Sequence, residues 1–189
     1  MVINNVVLVH GAFADGSSWT DVIAILQEKG LRATAVQNPL TFFADDVAAT
    51  RRALDRQDGP TVLVGHSYGG VVITETGLHK NVWSLVYVAA MAPEVGELFS
   101  EVAGRFPSPP GAAAIEVNGL FAQLSESGFQ ANFAQDLDPA RARVLSAVQG
   151  PISSGLFGEL TSVAAWKKKP SWYAISTQDR MIAPNLERF

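Results

Sequence analysis

At 189 residues, 48% hydrophobic and 17% charged, the chain has the size of one domain with material for a large core. A net charge of −4 without a basic stripe argues against a nucleic-acid partner, and the lack of cysteine excludes disulfides, thiolate metal sites and a thiol nucleophile. No apolar run approaches the ~18 residues that cross a membrane, and Met1–His10 lacks a basic leader region and a cleavage site, so a cytoplasmic protein with no membrane partner is expected.

Val6 to Val9 is a continuous apolar run, as in a strand covered on both faces. A loop of small residues follows, His10-Gly11-Ala12-Phe13-Ala14-Asp15-Gly16. Ser17 or Ser18 is placed to cap the next helix, with Asp21 near the capping-box position. Trp19, Val22, Ile23, Leu26 and Lys29 carry helical spacing up to Gly30. Leu31–Val36 reads as a strand ending at the Asn38-Pro39 turn. Asp45 and Asp46 place acid at the start of a helix that runs to about Gln57, where the helix dipole favours it.

Asp58-Gly59-Pro60 breaks the chain before Thr61–Val64, an apolar strand that runs into Gly65-His66-Ser67-Tyr68-Gly69. This is G-x-S-x-G between a strand and a helix. The turn is so sharp that the serine takes a strained backbone and its Oγ stands clear of the sheet. The flanking positions crowd each other, and Gly65 and Gly69 supply the small residues needed there. A helix from Gly69 to about Lys80 and a strand from Trp83 to Ala90 follow. The order β-α-β-α-β-α-β predicts a doubly wound, mostly parallel sheet, whose sites lie at the carboxyl ends of its strands.

From Ala92 the pattern is broken by Pro93, Gly96, Gly104, Pro107, Pro109, Pro110 and Gly111. Residues 92–165 read as an inserted, mainly helical cap between a core of residues 1–91 and a return to the core over 166–189. Its clearest helix spans Asp138 to Gln149, with Asp138 as cap and Pro139 at the first helical position. Phe99, Phe106, Phe121, Phe129, Phe133, Leu156 and Phe157 divide between the cap's own core and an apolar pocket. Lys167-Lys168-Lys169 reads as a solvated loop. Ser171–Ser176 returns as a strand, with Thr177-Gln178-Asp179-Arg180 at its carboxyl end.

The His10-Gly11-Ala12 loop, Gly65-His66-Ser67-Tyr68-Gly69-Gly70, Tyr87–Pro93 and Ser176–Ile182 together resemble the α/β-hydrolases, in particular the esterase and hydroxynitrile-lyase-like branch that includes plant methyl esterases. The resemblance implies that Ser67 is a nucleophile towards an acyl carbon. It implies that the backbone N–H groups of Tyr68 and Ala12 form the oxyanion hole, and that Asp179 is the acid that orients the base. Glu94 and Glu97 are rival acid positions.

The chain departs from the family's order of serine, acid, histidine, because no histidine follows Asp179. Strand alternation points His66 away from Ser67. His79 lies twelve residues along the helix, about 18 Å away, and His10 belongs to the loop it opens. The family's last strand and last helix are also absent, which predicts an unpaired edge at Ser171–Ser176 and uncovered apolar sheet surface, and suggests a truncated gene product or record. The expected function is therefore esterase-type hydrolysis of a small, largely apolar ester, with the base missing and turnover impaired. The alternatives are a silent ligand-binding protein and a lyase-like or cofactor-free oxygenase relative. Gly11 weakens the lyase reading, since those enzymes carry a hydroxyl-bearing residue there. No cofactor or metal motif is present. A small-molecule substrate is the expected partner, and an uncovered edge favours a homo-oligomer.

Overall fold

The computed structural model describes residues 3–189; the part of the Met1–His10 reading that falls on Met1 and Val2 lies outside the described residues. Strands β1 (Asn5–Val9), β2 (Arg32–Val36), β3 (Thr61–His66) and β4 (Val82–Val88) alternate with helices α1 (Thr20–Glu28), α2 (Phe43–Asp55) and α3 (Gly69–Thr76). Alternate residues of each strand face opposite ways. Val7, Val9, Leu63, Leu85 and Tyr87 join Leu54 of α2 and Val72 and Ile73 of α3 in the larger core. Val6, Leu8 and Val64 form the other layer with Trp19 and, from α1, Ile23 and Leu26. Covering both faces is what makes Val6–Val9 of β1 and Val62–Val64 of β3 apolar throughout.

Residues 92–165 are mainly helical, as expected, and carry in addition a small sheet that the sequence does not announce. They contain α4 (Phe99–Ala103), a short α5 (Glu126–Gly128) running into a π-helical turn at Phe129–Phe133, and α6 (Pro139–Val148). The added sheet is antiparallel, of β5 (Ile115–Asn118), β6 (Phe121–Leu124) and β7 (Ile152–Ser153). Its hairpin turns at Gly119-Leu120, between the paired Asn118 and Phe121, and Gly119 takes φ +61°, the positive φ that a two-residue hairpin turn needs at its first position. Asp138 caps α6 as expected, accepting from the N–H groups of Ala140 and Arg141 at 2.9 and 3.3 Å. The cap of the first helical segment differs from expectation. Asp15, not a serine, accepts the Ser17 N–H at 2.8 Å, and α1 follows a 3₁₀ turn over Gly16–Trp19.

Strand β8 (Ser171–Ala174) then pairs in parallel with β4, and α7 (Pro184–Glu187) ends the described chain. The main sheet runs β2-β1-β3-β4-β8, all parallel. The outer side of β8 has no strand partner among the described residues, and Trp172 on it is 60% exposed. This matches the open edge expected from the sequence. Lys167 and Lys169 are engaged, Lys167 with Glu94 at 2.5 Å and Lys169 Nζ donating to the Val82 carbonyl at 2.7 Å.

Candidate active site

The turn between β3 and α3 has the strained geometry its sequence requires. Ser67 sits at φ +52°, a region that costs an L-residue ~1–2 kcal/mol and persists only where the surroundings enforce it. They do so with hydrogen bonds. The Ser67 N–H lies 3.3 and 3.2 Å from the carbonyls of Val88 and Ala89, and its own carbonyl accepts from Gly70 and Met91 at 2.9 and 3.1 Å. A methyl group on Gly65 would lie 2.6 Å from the Gly69 carbonyl oxygen, and one on Gly69 would lie 2.5 Å from that of Val9. Both positions are closed to any larger residue.

The loop after β1 lies directly against the serine. A side chain on Gly11 would meet Ser67 Cβ at 2.7 Å and the His66 carbonyl at 2.9 Å. Ala12 is buried in this loop, and Phe13 holds it at φ +58°. Tyr68 is the first residue past the serine and stands at the start of α3. Asp179 follows β8 and shares with Ser67 a cavity of about 610 Å³, which His66, Asn132, Phe133 and Met181 also line. Asp179 Oδ1 accepts the N–H groups of Met181 and Ile182 at 2.6 and 2.8 Å, which fixes the carboxylate at the cavity wall. A hollow of about 670 Å³ along Gln130–Pro139 contains neither residue.

Residues 6–189 match the profile of the alpha/beta hydrolase family. The chain belongs to that family. A probable hydrolase of Phoma sp. is 27% identical to it over 200 residues, covering 96% of this chain and 80% of the relative. A carbendazim hydrolyzing esterase of Nocardioides sp. is 31% identical over 132 residues, or 62% of this chain and 54% of the relative. The solved structure of polyneuridine aldehyde esterase superposes with a TM-score of 0.82 at 18% identity, covering 99% of this chain and 85% of its own. The hydrolase therefore has the hydrolase and esterase fold expected from its sequence.

The three histidines of the hydrolase are placed as follows. His10 is buried with both ring nitrogens engaged: Nε2 accepts the Asn38 N–H at 3.0 Å, so Nδ1 is the nitrogen that donates to the Gly11 carbonyl at 2.9 Å. Burial lowers its pKa. His79 pairs with Asp55 at 3.0 Å, and its Nδ1 accepts from the Asn81 N–H.

His66 corrects the sequence reading. It lines the Ser67 cavity instead of pointing away from it, because strand alternation ends where Ser67 leaves the strand at positive φ. Its imidazole is edge-on to the rings of Trp19 and Phe133, at 6.3 and 6.1 Å. Burial takes its pKa down to about 4, against the opposing pull of Asp179, so the ring is neutral at pH 7.

Glu94 and Glu97 are not brought to the serine; Glu94 pairs with Lys167, and Glu97 accepts the Glu94 N–H at 3.0 Å. Asp46 is a site neighbour that its position at the start of α2 does not reveal. It is fully buried, accepting the Tyr68 hydroxyl at 2.8 Å and the Leu40 N–H at 2.9 Å. The available signal was spacing: Ala49 and Thr50, three and four residues on, share its buried face.

Proposed function

We propose that the hydrolase is a serine esterase for a small, largely apolar ester. Ser67 Oγ attacks the carbonyl carbon, the alcohol leaves with a proton, and water then releases the acid and restores the Ser67 hydroxyl. The backbone N–H groups of Ala12 and Tyr68 stabilise the developing oxyanion, and Asp179 holds the place of the triad acid, whose base is not among this chain's three histidines. The single observation that carries this reading is the strained Ser67 at φ +52°, with the Gly11 loop packed on its Cβ and Asp179 on the same cavity. The relatives named as a hydrolase and an esterase support the reaction class.

None of the three histidines is engaged as a base to Ser67 in this arrangement. The 189-residue chain therefore turns over slowly, retaining about the 10³–10⁴-fold over water that binding and the oxyanion hole supply without a complete triad. Hydrolysis of a short-chain chromogenic ester by wild type and Ser67→Ala tests the proposal. A clear drop in the variant is expected, and equal rates would remove Ser67 from the mechanism. If no turnover accompanies specific ligand stabilisation of the fold, the chain is a binding protein instead.

A further inference from the structure

Two buried polar links converge on the short segment between β2 and α2. At its start, the Asn38 N–H donates to His10 Nε2 at 3.0 Å, and the Asn38 side-chain amide donates to the His10 carbonyl at 3.1 Å. His10 opens the loop that carries Ala12. Two residues on, Leu40 holds φ +57° and donates its N–H to Asp46 Oδ1 at 2.9 Å. Asp46 Oδ2 accepts the Tyr68 hydroxyl at 2.8 Å. The Leu40 carbonyl in turn accepts the Ser153 N–H of β7 at 2.8 Å, tying the inserted sheet to the same point. Asp46 is 0% and Tyr68 1% exposed.

A buried carboxylate is an expensive way to pack a helix, since an apolar residue of similar size would avoid the desolvation cost. What the carboxylate supplies is position. It accepts from two backbone-defining points at once, a strained turn and the far end of the ring next to the nucleophile. A backbone N–H stabilises an oxyanion only where it is already fixed at the place the charge develops. Both N–H groups assigned to that task trace back to residues 38–40: Ala12 through His10 and Asn38, and Tyr68 through Asp46 and Leu40.

We infer that Asn38 and Asp46 are positioning residues of the Ser67 site, bracketing the Ala12 loop and the Tyr68 backbone so that the two oxyanion donors hold one geometry. The inference rests on the reading of Ser67 as nucleophile.

Three variants test it. Tyr68→Phe keeps the ring and removes the hydroxyl. Asp46→Ala removes both acceptors. Asp46→Asn keeps an acceptor for the Leu40 N–H and offers an amide donor to the Tyr68 oxygen. In ester hydrolysis, Tyr68→Phe and Asp46→Ala are expected to lower kcat about tenfold, short of the 10²–10³ lost with a whole oxyanion donor. KM stays within about twofold, and Asp46→Asn recovers most of kcat. Asp138→Ala, which removes the cap of α6 and none of the bonds linking Asn38, Asp46 and Tyr68, serves as a control that lowers stability without changing kcat.

Unchanged kcat in folded Tyr68→Phe and Asp46→Ala, or losses that follow stability alone as set by Asp138→Ala, would overturn the inference. Amide hydrogen exchange gives a readout independent of catalysis. Tyr68→Phe is expected to speed exchange in residues 67–70 and also in residues 10–13, to which the Tyr68 hydroxyl makes no hydrogen bond. Faster exchange confined to 67–70 would refute the bracket whatever the kinetics, whereas a failure of Ser67→Ala to alter hydrolysis would refute the nucleophile and leave the exchange result standing.

Discussion

Replacing Gly65 with alanine places a methyl group where three backbone atoms already stand. The added Cβ would lie 2.6 Å from the Gly69 oxygen, 2.8 Å from the Gly69 carbon and 3.0 Å from the Gly70 nitrogen. None of the three belongs to a side chain that can rotate away, so the first turn of α3 must shift by several tenths of an ångström. Overpacking of this kind costs about 1–3 kcal/mol, and backbone obstruction places Gly65→Ala in the upper part of that range. At about 2–4 °C per kcal/mol for a chain of this size, the midpoint of thermal unfolding falls by roughly 5–10 °C. Gly59→Ala is the control: its Cβ would meet only Asn5 Nδ2 at 3.9 Å, and loss of chain freedom in the unfolded state makes it neutral or stabilising by ~0.4–1 kcal/mol. Paired urea and thermal melts compare the two. A Gly65→Ala loss indistinguishable from Gly59→Ala would show that the elbow is not packed as described. Because Tyr68 stands between Ser67 and the first turn of α3, the same variant is also expected to lose turnover of the proposed ester substrate.

Other consequences are as direct. His66 has a pKa of about 4 in the fold against ~6.5 in the unfolded chain, so the unfolded state binds the extra proton between those values. The stability from keeping His66 neutral is complete above pH 6.5 and drains away as pH falls towards 4, by at most about 3 kcal/mol. Glu187, raised to about 6 by burial, slopes the opposite way. The measurement is therefore the difference between wild type and His66→Gln in urea melts from pH 7 to 4, and parallel curves would contradict the burial of this ring. Asp138→Ala removes the side-chain cap of α6 and is expected to cost ~1 kcal/mol; a midpoint unchanged by the substitution would show that the cap is not formed in solution. Free imidazole, supplied at tens of millimolar, is expected to speed ester hydrolysis by wild type more than by Ser67→Ala, since it offers a base to Ser67 in the cavity bounded by Asp179. Equal acceleration of both proteins would mean that imidazole acts only in bulk solution.

The parts of the fold that were legible in the sequence are those where one physical demand overrides the rest. Val6–Val9 and Val62–Val64 are apolar throughout because helices cover both faces of β1 and β3. Gly65 and Gly69 announce the elbow because no larger residue fits beside Ser67. The second sheet was harder to see. Its hairpin turns at Gly119-Leu120, but β5 and β6 have four residues each and half or more of them face solvent, so the apolar signal is faint. Its third strand, only two residues long, arrives from the far side of α6, a pairing that local pattern does not encode. His66 was misplaced because alternation was extended past the residue where the strand ends. Asp46 was read as an acid complementing a helix dipole, when its partners Tyr68 and Leu40 come from a different turn and a different loop. Only the tertiary structure brings the three together.

The account depends most on covalent chemistry at Ser67. Incubating the 189-residue protein with p-nitrophenyl acetate, quenching in acid and mapping peptides by mass spectrometry tests it directly. The account predicts one acetyl group on the peptide containing Ser67, formed as nitrophenol is released and absent from Ser67→Ala. Acetylation confined to lysines, or unchanged in the Ser67→Ala protein, would contradict it.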